Sequence, residues 1–419
     1  MRKIIYLIQC PPQWIKTPPL GLECIRNYLK TKNIETKIID LNIIAYKLIK
    51  ATKKDWLSLN KEFGKNLFFI IKENAPSLFN NLIKKIKDAW GVGISLFKHN
   101  QSFSFNVASM LRKIYPHLTI VFGGPHTLFM KLYKDTFLNE FKWVIGEGES
   151  GIYTLIKDKK QTVIEYEELD DIDNLPFVEF NSFNIKMYSF SLPLISSRGC
   201  IRKCNFCTER LLYKKFRQHS PQYIVEQIKY LIKKHNVSNF VFQDSLINAN
   251  LKWLEEFSRL IIKNKLNIKW EAQAIIRDDF SCELAELMKK SGCFNLFIGL
   301  ESASDKILQD MNKGFTQKQA LDFFKALKRG KLHFEISIIV DYPGETEKNF
   351  EETVNFIVKN KSIIPKIAQI NPYIDYFTRN YTPQAFALQK VNRLVKILEK
   401  EKIPYTKSFI NNLIYNHAD

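Results

Sequence analysis

No run of about 18 or more apolar residues occurs in the 419-residue chain, so the sequence offers no membrane-spanning helix. A secretion signal is not expected either. The opening apolar run Ile4–Ile8 passes directly into Gln9 and a pair of prolines and reads as a first β-strand, whereas a signal needs a longer apolar core and a small-residue cleavage site. The expected location is cytoplasmic. Cysteine is scarce and odd in number, at seven, which without a secretion signal argues against a disulfide framework. Cys10, Cys24, Cys282 and Cys293 stand singly and read as core residues. There is also no arginine–aromatic stripe of the kind single-strand binders use. The net charge of +20 comes from lysines spread along the chain, such as Lys233, Lys234, Lys289 and Lys290. These read as solvated helix faces, with a polyanion such as tRNA as the alternative partner.

With 45% hydrophobic and 25% charged residues the composition is that of a globular protein, and the length suggests two domains. Three of the seven cysteines are crowded into Ser197-Arg198-Gly199-Cys200-Ile201-Arg202-Lys203-Cys204-Asn205-Phe206-Cys207. This CxxxCxxC spacing presents three thiolates to one metal centre and no fourth. A four-iron four-sulfur cubane takes a thiolate on each iron, so a trio leaves one iron open to another ligand. The alternative is zinc, with His219 as fourth ligand.

The N-terminal part alternates strand and helix: Ile4–Ile8, helical spacing over Leu20–Leu29, then Thr36–Ile39, Val92–Leu96, helix over Phe103–Ile114, Leu118–Phe122 and Trp143–Ile145. Such alternation predicts a doubly wound, Rossmann-like α/β domain over residues 1–157, with a lysine-rich helical insertion at about 42–90 packed on the outside. Residues 158–189 carry the acidic run Glu165, Glu167, Glu168, Asp170, Asp171 and Asp173 before Pro176 and read as a linker. The alternation then resumes through Leu192–Ser196, Asn239–Gln243, Ile268–Ala272, Asn295–Leu300, Glu335–Val340 and Lys366–Ile370, with helical periodicity between. Six such units predict a partial (β/α)6 TIM-type barrel over 190–371, whose working residues stand at the C-terminal strand ends. The cysteine loop follows the first of those strands. Residues 372–419 form a partly helical tail.

At this point the chain resembles the radical S-adenosylmethionine (SAM) enzymes that carry a cobalamin-binding domain. The resemblance rests on the cysteine loop with Phe206 before its last cysteine, on Gln243-Asp244-Ser245, Gly299-Leu300-Glu301-Ser302 and Pro343-Gly344-Glu345-Thr346. In the N-terminal domain it rests on Pro18-Pro19-Leu20-Gly21-Leu22, Val92-Gly93-Ile94-Ser95, Val121-Phe122-Gly123-Gly124-Pro125-His126 and Gly146-Glu147-Gly148-Glu149. It implies that Cys200, Cys204 and Cys207 hold a 4Fe-4S cluster whose open iron chelates SAM, and that an electron from the cluster breaks the sulfonium bond to give a 5′-deoxyadenosyl radical. It further implies Phe206 near the adenine, Asp244 as acceptor for the methionine ammonium, Glu301 for the ribose hydroxyls or the same ammonium, Arg277 for the methionine carboxylate, and Gly344 for backbone approach to the adenine. Gly93, Ser95, Gly123, Gly124, Gly146, Glu147 and Gly148 are the implied cobalamin contacts.

Beside these roles stand plainer ones. Asp244 fits a helix cap, Glu301 a solvated carboxylate, and Arg277 a partner of Asp278 or Asp279. Gly146-Glu147-Gly148-Glu149-Ser150-Gly151 matches GxGxxG, but it does not open the first βα unit and its glutamates repel a pyrophosphate. The DxHxxG motif that supplies cobalt with a histidine in many cobalamin modules is missing; the corresponding surface loop has Lys98-His99-Asn100. Asp341-Tyr342 stands before Pro343 where the family usually has a glycine. The expected activity is reductive SAM cleavage with cobalamin-dependent methyl transfer to an unactivated carbon of a small-molecule or biosynthetic-intermediate substrate. The alternatives are a cobalamin-associated rearrangement or cyclisation and, from another class, a zinc-stabilised basic RNA-binding protein. An electron donor such as flavodoxin or ferredoxin is implied, a membrane is not. Tyr373, Tyr376, Phe377 and Tyr381 in the tail read as pocket lining or as core.

Overall fold

A computed structural model describes residues 4–49, 56, 61–133, 140–158, 160–165, 168–189, 191–375 and 385–406. Glu167, Tyr376, Phe377 and Tyr381 lie outside the described residues. The chain divides into two compact units at Pro193/Leu194, with Leu211–Lys214 belonging to the first.

The first unit is a six-stranded sheet: β1 (Ile4–Gln9), β2 (Glu35–Asp40), β3 (Ala89–Ser95), β4 (Thr119–Gly123), β5 (Lys142–Ile145) and β6 (Val163–Glu165), in the order β2-β1-β3-β4-β5-β6. Every pair is parallel. Parallel strands need helical crossovers, which cover both faces, and so the strands read as near-continuous apolar runs. In β1, alternate side chains point to opposite faces: Tyr6 and Ile8 join the larger core, while Ile5 and Leu7 pack with Leu22, Leu29 and Ile152. The strand order reverses between β1 and β3, which makes that crevice the switch point of a doubly wound sheet.

Two boundaries differ from the expected ones. The stretch at 42–90 is not an external addition. Its helices Leu41–Leu48, Lys61–Asn74 and Ser77–Ile86 place Leu67, Phe68, Ile71, Leu78, Phe79, Leu82 and Ile86 in one core with Ile8, Val92 and Ile94. Abundant lysine on the solvent side masks that apolar stripe in the sequence. Nor is 158–189 a free linker: β6 lies within it, the Tyr188 hydroxyl donates to Asp40 Oδ2 at 2.5 Å, and the Glu23 carboxylate accepts from the Glu179 and Phe180 amides at 3.1 and 2.7 Å. Arg26 and Lys30 pair with Glu179, so an acid that looks solvated in sequence is tied to the sheet's first helix, Leu20–Thr31.

β7 (Ser191–Leu194) crosses that division and leads into the second unit, which continues with β8 (Ser197–Arg198), β9 (Arg217–Gln218), β10 (Asn239–Phe242), β11 (Lys269–Ala274), β12 (Cys293–Glu301), β13 (Phe334–Val340) and β14 (Ile367–Pro372). Its main sheet runs β14-β13-β12-β11-β10-β7, each strand beside its predecessor in sequence, with parallel register from β10 to β14. Helices intervene between successive strands, and their N-termini sit at the strands' carboxyl ends. There Ser220, Asn250 and Ser281 cap through their side chains, and Thr316 and Thr346 form capping boxes with Gln319 and Asn349. This is the expected partial (β/α)6 arrangement. The tail adds a helix, Ala385–Lys400, after which Thr406 donates its amide to the Ile367 carbonyl.

Candidate active site

The cysteine loop leaves the carboxyl end of β7 and is closed at its base by the antiparallel pair β8–β9, with Ser197 opposite Gln218 and Arg198 opposite Arg217. Within the loop Gly199 has φ +84°, a conformation suited to glycine. The Arg202 amide lies 3.4 Å from Cys200 Sγ, and Cys207 donates its amide to the Cys204 carbonyl at 3.1 Å. The loop is laced to residues 310–314: the Asn205 amide donates to the Met311 carbonyl (2.9 Å), Asn205 Nδ2 to the Asp310 carbonyl (2.7 Å), and Asn312 Nδ2 to the Lys203 carbonyl (3.0 Å). Arg202 spans the mouth, with Nη1 on the Gly314 carbonyl at 3.1 Å and Nη2 on that of Ile276 at 3.4 Å.

All three thiols are half-buried, and that burial raises their pKa values, Cys207 to about 11. Lys313 and Arg202 act in the opposite direction at Cys204, and Lys313 at Cys200. A thiol trio held neutral beside cations releases its protons to a metal centre on binding, and the donor set suits iron–sulfur chemistry. Among the described residues, no three His, Cys, Asp or Glu side chains converge as a single metal ion requires. His219, weighed as a zinc ligand, is buried with its ring stacked on Tyr223 at 4.1 Å.

The tight fit of Arg202 yields a prediction. Gly314 has φ +70°, and a Cβ there would lie 2.1 Å from Arg202 Nη1. Gly314→Ala combines an unfavourable backbone conformation with displacement of the arginine, and the expected loss is about 1–2 kcal/mol. Thermal unfolding and iron bound per chain should both fall; unchanged values for both contradict the clamp.

The residues expected around SAM are placed as follows. Asp244 lies two residues beyond β10 and is fully buried. Its carboxylate accepts from the Ser196 amide (Oδ1 3.1 Å, Oδ2 2.9 Å) and from the Ser196 and Ser197 hydroxyls (Oδ1, 2.6 Å each). Burial outweighs these donors and raises its pKa to about 6. The carboxylate thus faces the chain entering the cysteine loop rather than an open ligand position. Arg277 is likewise engaged: Nε and Nη2 fork onto Asp279 at 2.7 and 2.6 Å, and Nη1 donates to the Ala249 carbonyl. Glu301 ends β12 at φ +67°, buried, with Oε2 accepting from the Ser337 hydroxyl at 3.0 Å and Oε1 3.5 Å from Lys313 Nζ. Gly299 makes room for it, because a Cβ there would meet Glu301 Oε1 at 2.3 Å. Phe206 packs against the cluster of Ile307, Met311 and Tyr342, its ring edge-on to Tyr342 at 6.4 Å. Gly344 has φ +84°, and a Cβ there would meet only Lys306 Nζ and Asp310 Oδ2, at 3.7 and 3.9 Å.

Sequence reasoning missed Lys313. It is buried, pairs with Glu301, lies 5.7 Å from the Phe206 ring, and acts electrostatically on two of the three cysteines. No motif announces it; it reaches the site because the chain turns back after the short helix Asp305–Asp310.

In the first unit the implied cobalamin residues stand at or after the carboxyl ends of the strands, except Gly93, which lies inside β3, and several serve packing there. The space a side chain needs at Gly93 is filled by Leu7 Cδ2 at 2.8 Å, and at Gly148 by Ile25 Cδ1 at 2.6 Å. Gly124 (φ +102°) lies against the Leu96 carbonyl, Gly146 has φ +104°, and the Ser95 carbonyl accepts from Asn100 Nδ2. Glu147 is buried and accepts from the Leu169 amide at 2.9 Å. Gly123 is the open one, its nearest neighbour Val144 Cβ at 4.0 Å. Three loops add side chains here, of which Trp14 and Gln13 were not singled out in the sequence. Trp14, after β1, is 47% exposed; Gln13 lies 2.9 Å from His99 Nε2, after β3; His126, after β4, lies 2.9 Å from Gln101. Burial and Lys98 lower the His126 pKa to about 4, so its imidazole is neutral. An exposed indole, an open glycine and a neutral imidazole at a switch point fit a flat, largely apolar ring ligand.

Comparison with known proteins matches residues 194–357 to the radical SAM superfamily. An uncharacterized methyltransferase of Pyrococcus horikoshii is 28% identical over 67% of this chain and 67% of its own length. The bacteriochlorophyllide d C-12(1)-methyltransferase of Chlorobaculum tepidum is 27% identical over 61% of this chain and 58% of its own. The anaerobic magnesium-protoporphyrin IX monomethyl ester cyclase of Rubrivivax gelatinosus is 26% identical over 58% and 49%. The chain thus spans between half and two thirds of the length of these relatives. Among solved structures, the cobalamin-dependent SAM radical enzyme OxsB, with aqua-cobalamin and SAM bound, has a TM-score of 0.67 at 17% identity, covering 98% of this chain and 56% of that one. The radical SAM methyltransferase TsrM of Kitasatospora setae has a TM-score of 0.64 at 13% identity, covering 88% and 72%. At these identities the likeness is one of fold.

Proposed function

We propose, from the match of residues 194–357 to the radical SAM superfamily, that this chain is a cobalamin-dependent radical SAM methyltransferase acting on an unactivated carbon. When bound, a reduced 4Fe-4S cluster supplies the electron that splits SAM into methionine and a 5′-deoxyadenosyl radical, and cobalamin supplies the methyl group. The observation that carries the reading is the half-buried trio Cys200, Cys204 and Cys207 in a loop fastened on three sides at the carboxyl ends of a partial barrel.

The chain's own residues divide the work. The three cysteines hold the cluster and leave one iron for SAM. Lys313 and Arg202 offset the negative charge of three thiolates. With the Arg277 fork spent on Asp279, Lys313, which acts on Cys200 and Cys204, is the cation for the methionine carboxylate, and Glu301 beside it takes the ammonium or the ribose hydroxyls. Phe206, Tyr342 and Tyr373 form an apolar wall for the adenine, and Gly344 offers backbone to its edge. In the first unit Trp14 and Gly123 would receive the corrin, with Gln13, His99 and His126 as neutral polar neighbours. A flavodoxin- or ferredoxin-type carrier is the donor this chemistry calls for.

A second reading is a radical cyclisation without methylation, favoured by the likeness to a cyclase. Both are tested by anaerobic reconstitution with iron and sulfide, followed by SAM, reductant and cobalamin. Formation of 5′-deoxyadenosine is the expected result for either, and S-adenosylhomocysteine formed alongside it marks methylation. Stoichiometric zinc without iron rejects both.

A further inference from the structure

The loop between β13 and helix Glu347–Lys359 holds a charge cluster that reaches outside the matched radical SAM span. Lys390, on helix Ala385–Lys400, is almost completely buried. Its Nζ lies 2.7 Å from Glu345 Oε2 and 3.3 Å from Asp341 Oδ1. Glu345 Oε2 also accepts from the Asp341 amide at 2.8 Å, and the Glu345 amide donates to the Tyr342 carbonyl at 2.8 Å, closing the turn. Asp341 sits at φ +62°, a left-handed conformation that is unfavourable for a non-glycine residue. The strained residue is therefore held at both ends of its own structure: the amide by Glu345, the carboxylate by Lys390.

This turn carries Tyr342 and Gly344. Tyr342 packs on Tyr373 at 5.0 Å and on Phe206 at 6.4 Å, and its hydroxyl lies 3.4 Å from the Asp310 carbonyl. Whatever fixes Asp341 thus fixes the wall beside the cysteine loop.

We propose that Lys390 is a positioning residue for SAM, and that helix Ala385–Lys400 sets the adenine side of the pocket by locking the Asp341–Glu345 turn. The inference rests on the SAM-binding reading above. Without the ammonium, Glu345 is a buried carboxylate with no cation, an unfavourable state that is relieved by moving outward. That movement removes the acceptor from the Asp341 amide, and the strained turn relaxes.

The test is SAM affinity by titration calorimetry on the cluster-loaded protein without reductant, together with hydrogen exchange across 340–346 in protein with and without cluster. Lys390→Met should weaken SAM binding about tenfold or more, leave iron per chain unchanged, and speed exchange of the Asp341 and Glu345 amides. Adding Asp341→Gly removes the backbone strain and should recover about threefold or more of the affinity. If Lys390→Met fails to fold, Glu345→Met with Lys390→Met replaces the charges by apolar groups. That pair should keep the helix docked, as judged by thermal unfolding, and still bind SAM weakly, since the Asp341 amide has no acceptor. Wild-type SAM affinity in either folded variant overturns the proposal, as does a Lys390→Met loss that Asp341→Gly leaves untouched. A wild-type cluster-loaded protein that binds no SAM overturns the SAM reading along with it.

Discussion

Cys204→Ala should assemble no brown 4Fe-4S chromophore under anaerobic reconstitution, and its formation of 5′-deoxyadenosine should fall by at least about a thousandfold, some 4 kcal/mol of barrier. Two thiolates cannot hold the cluster in place of three, and among the described residues no other His, Cys, Asp or Glu group converges to replace the missing ligand. The loss should be chemical rather than a loss of fold. Cys204 is half-buried, and the loop keeps its fastenings without it: Asn205 on Met311 and Asp310, Arg202 on Gly314 and Ile276. Unfolding should therefore shift by no more than about 1–2 kcal/mol. Measuring iron, acid-labile sulfide and unfolding on the same preparation separates the two kinds of loss. An alanine variant that still cleaves SAM means the cluster is held by other residues.

The parts of the fold that were legible in the sequence share one physical property. Strands β10 to β14 are parallel and covered on both faces, so they appear as apolar runs such as Phe334–Val340 between amphipathic helices. β6 was missed because it offers only Val163 and Ile164 before Glu165, which is no such run. The helices at 61–86 were read as peripheral because their buried stripe is diluted by lysine, although it packs against Ile8 and Ile94. At the site, the cysteine trio is a local pattern and could be read locally. The orientation of a side chain is not local. Arg277 and Asp244 stand at the strand ends expected of them, but one turns to Asp279 and the other to Ser196. Lys313 contributes through a fold-back that no spacing encodes.

Asp244 gives the sharpest separation between a structural and a ligand-binding carboxylate. Its Oδ1 collects two hydroxyls and its Oδ2 the Ser196 amide, all from the segment that leads into the cysteines. In Asp244→Asn the amide oxygen can take the Ser196 N–H, while the hydroxyls of Ser196 and Ser197 turn to accept from the new NH2 group, so the loss should be about 1–2 kcal/mol. Asp244→Ala has no such remedy. It strands a buried N–H and two hydroxyls beside a cavity, and about 3–5 kcal/mol should go, with iron retention falling in step because the loop's base is no longer fixed. The pH dependence has a definite sign. Folding raises this carboxyl from its ordinary value to about 6, so between about pH 4 and pH 6 the folded chain holds a proton that the unfolded chain has released. Stability from this group is fully present below about pH 4 and is lost as pH rises to about 6, by up to about 3 kcal/mol. The difference in unfolding free energy between wild type and Asp244→Asn should therefore favour wild type more at pH 4 than at pH 7. SAM affinity decides the remaining point. A carboxylate that anchors the loop predicts an Asn variant whose SAM affinity stays within about threefold of wild type once the cluster is in place. A carboxylate that holds the methionine ammonium predicts normal unfolding and normal iron with SAM binding weakened about tenfold or more, and that pattern would return Asp244 to the ligand-binding role its strand-end position first suggested.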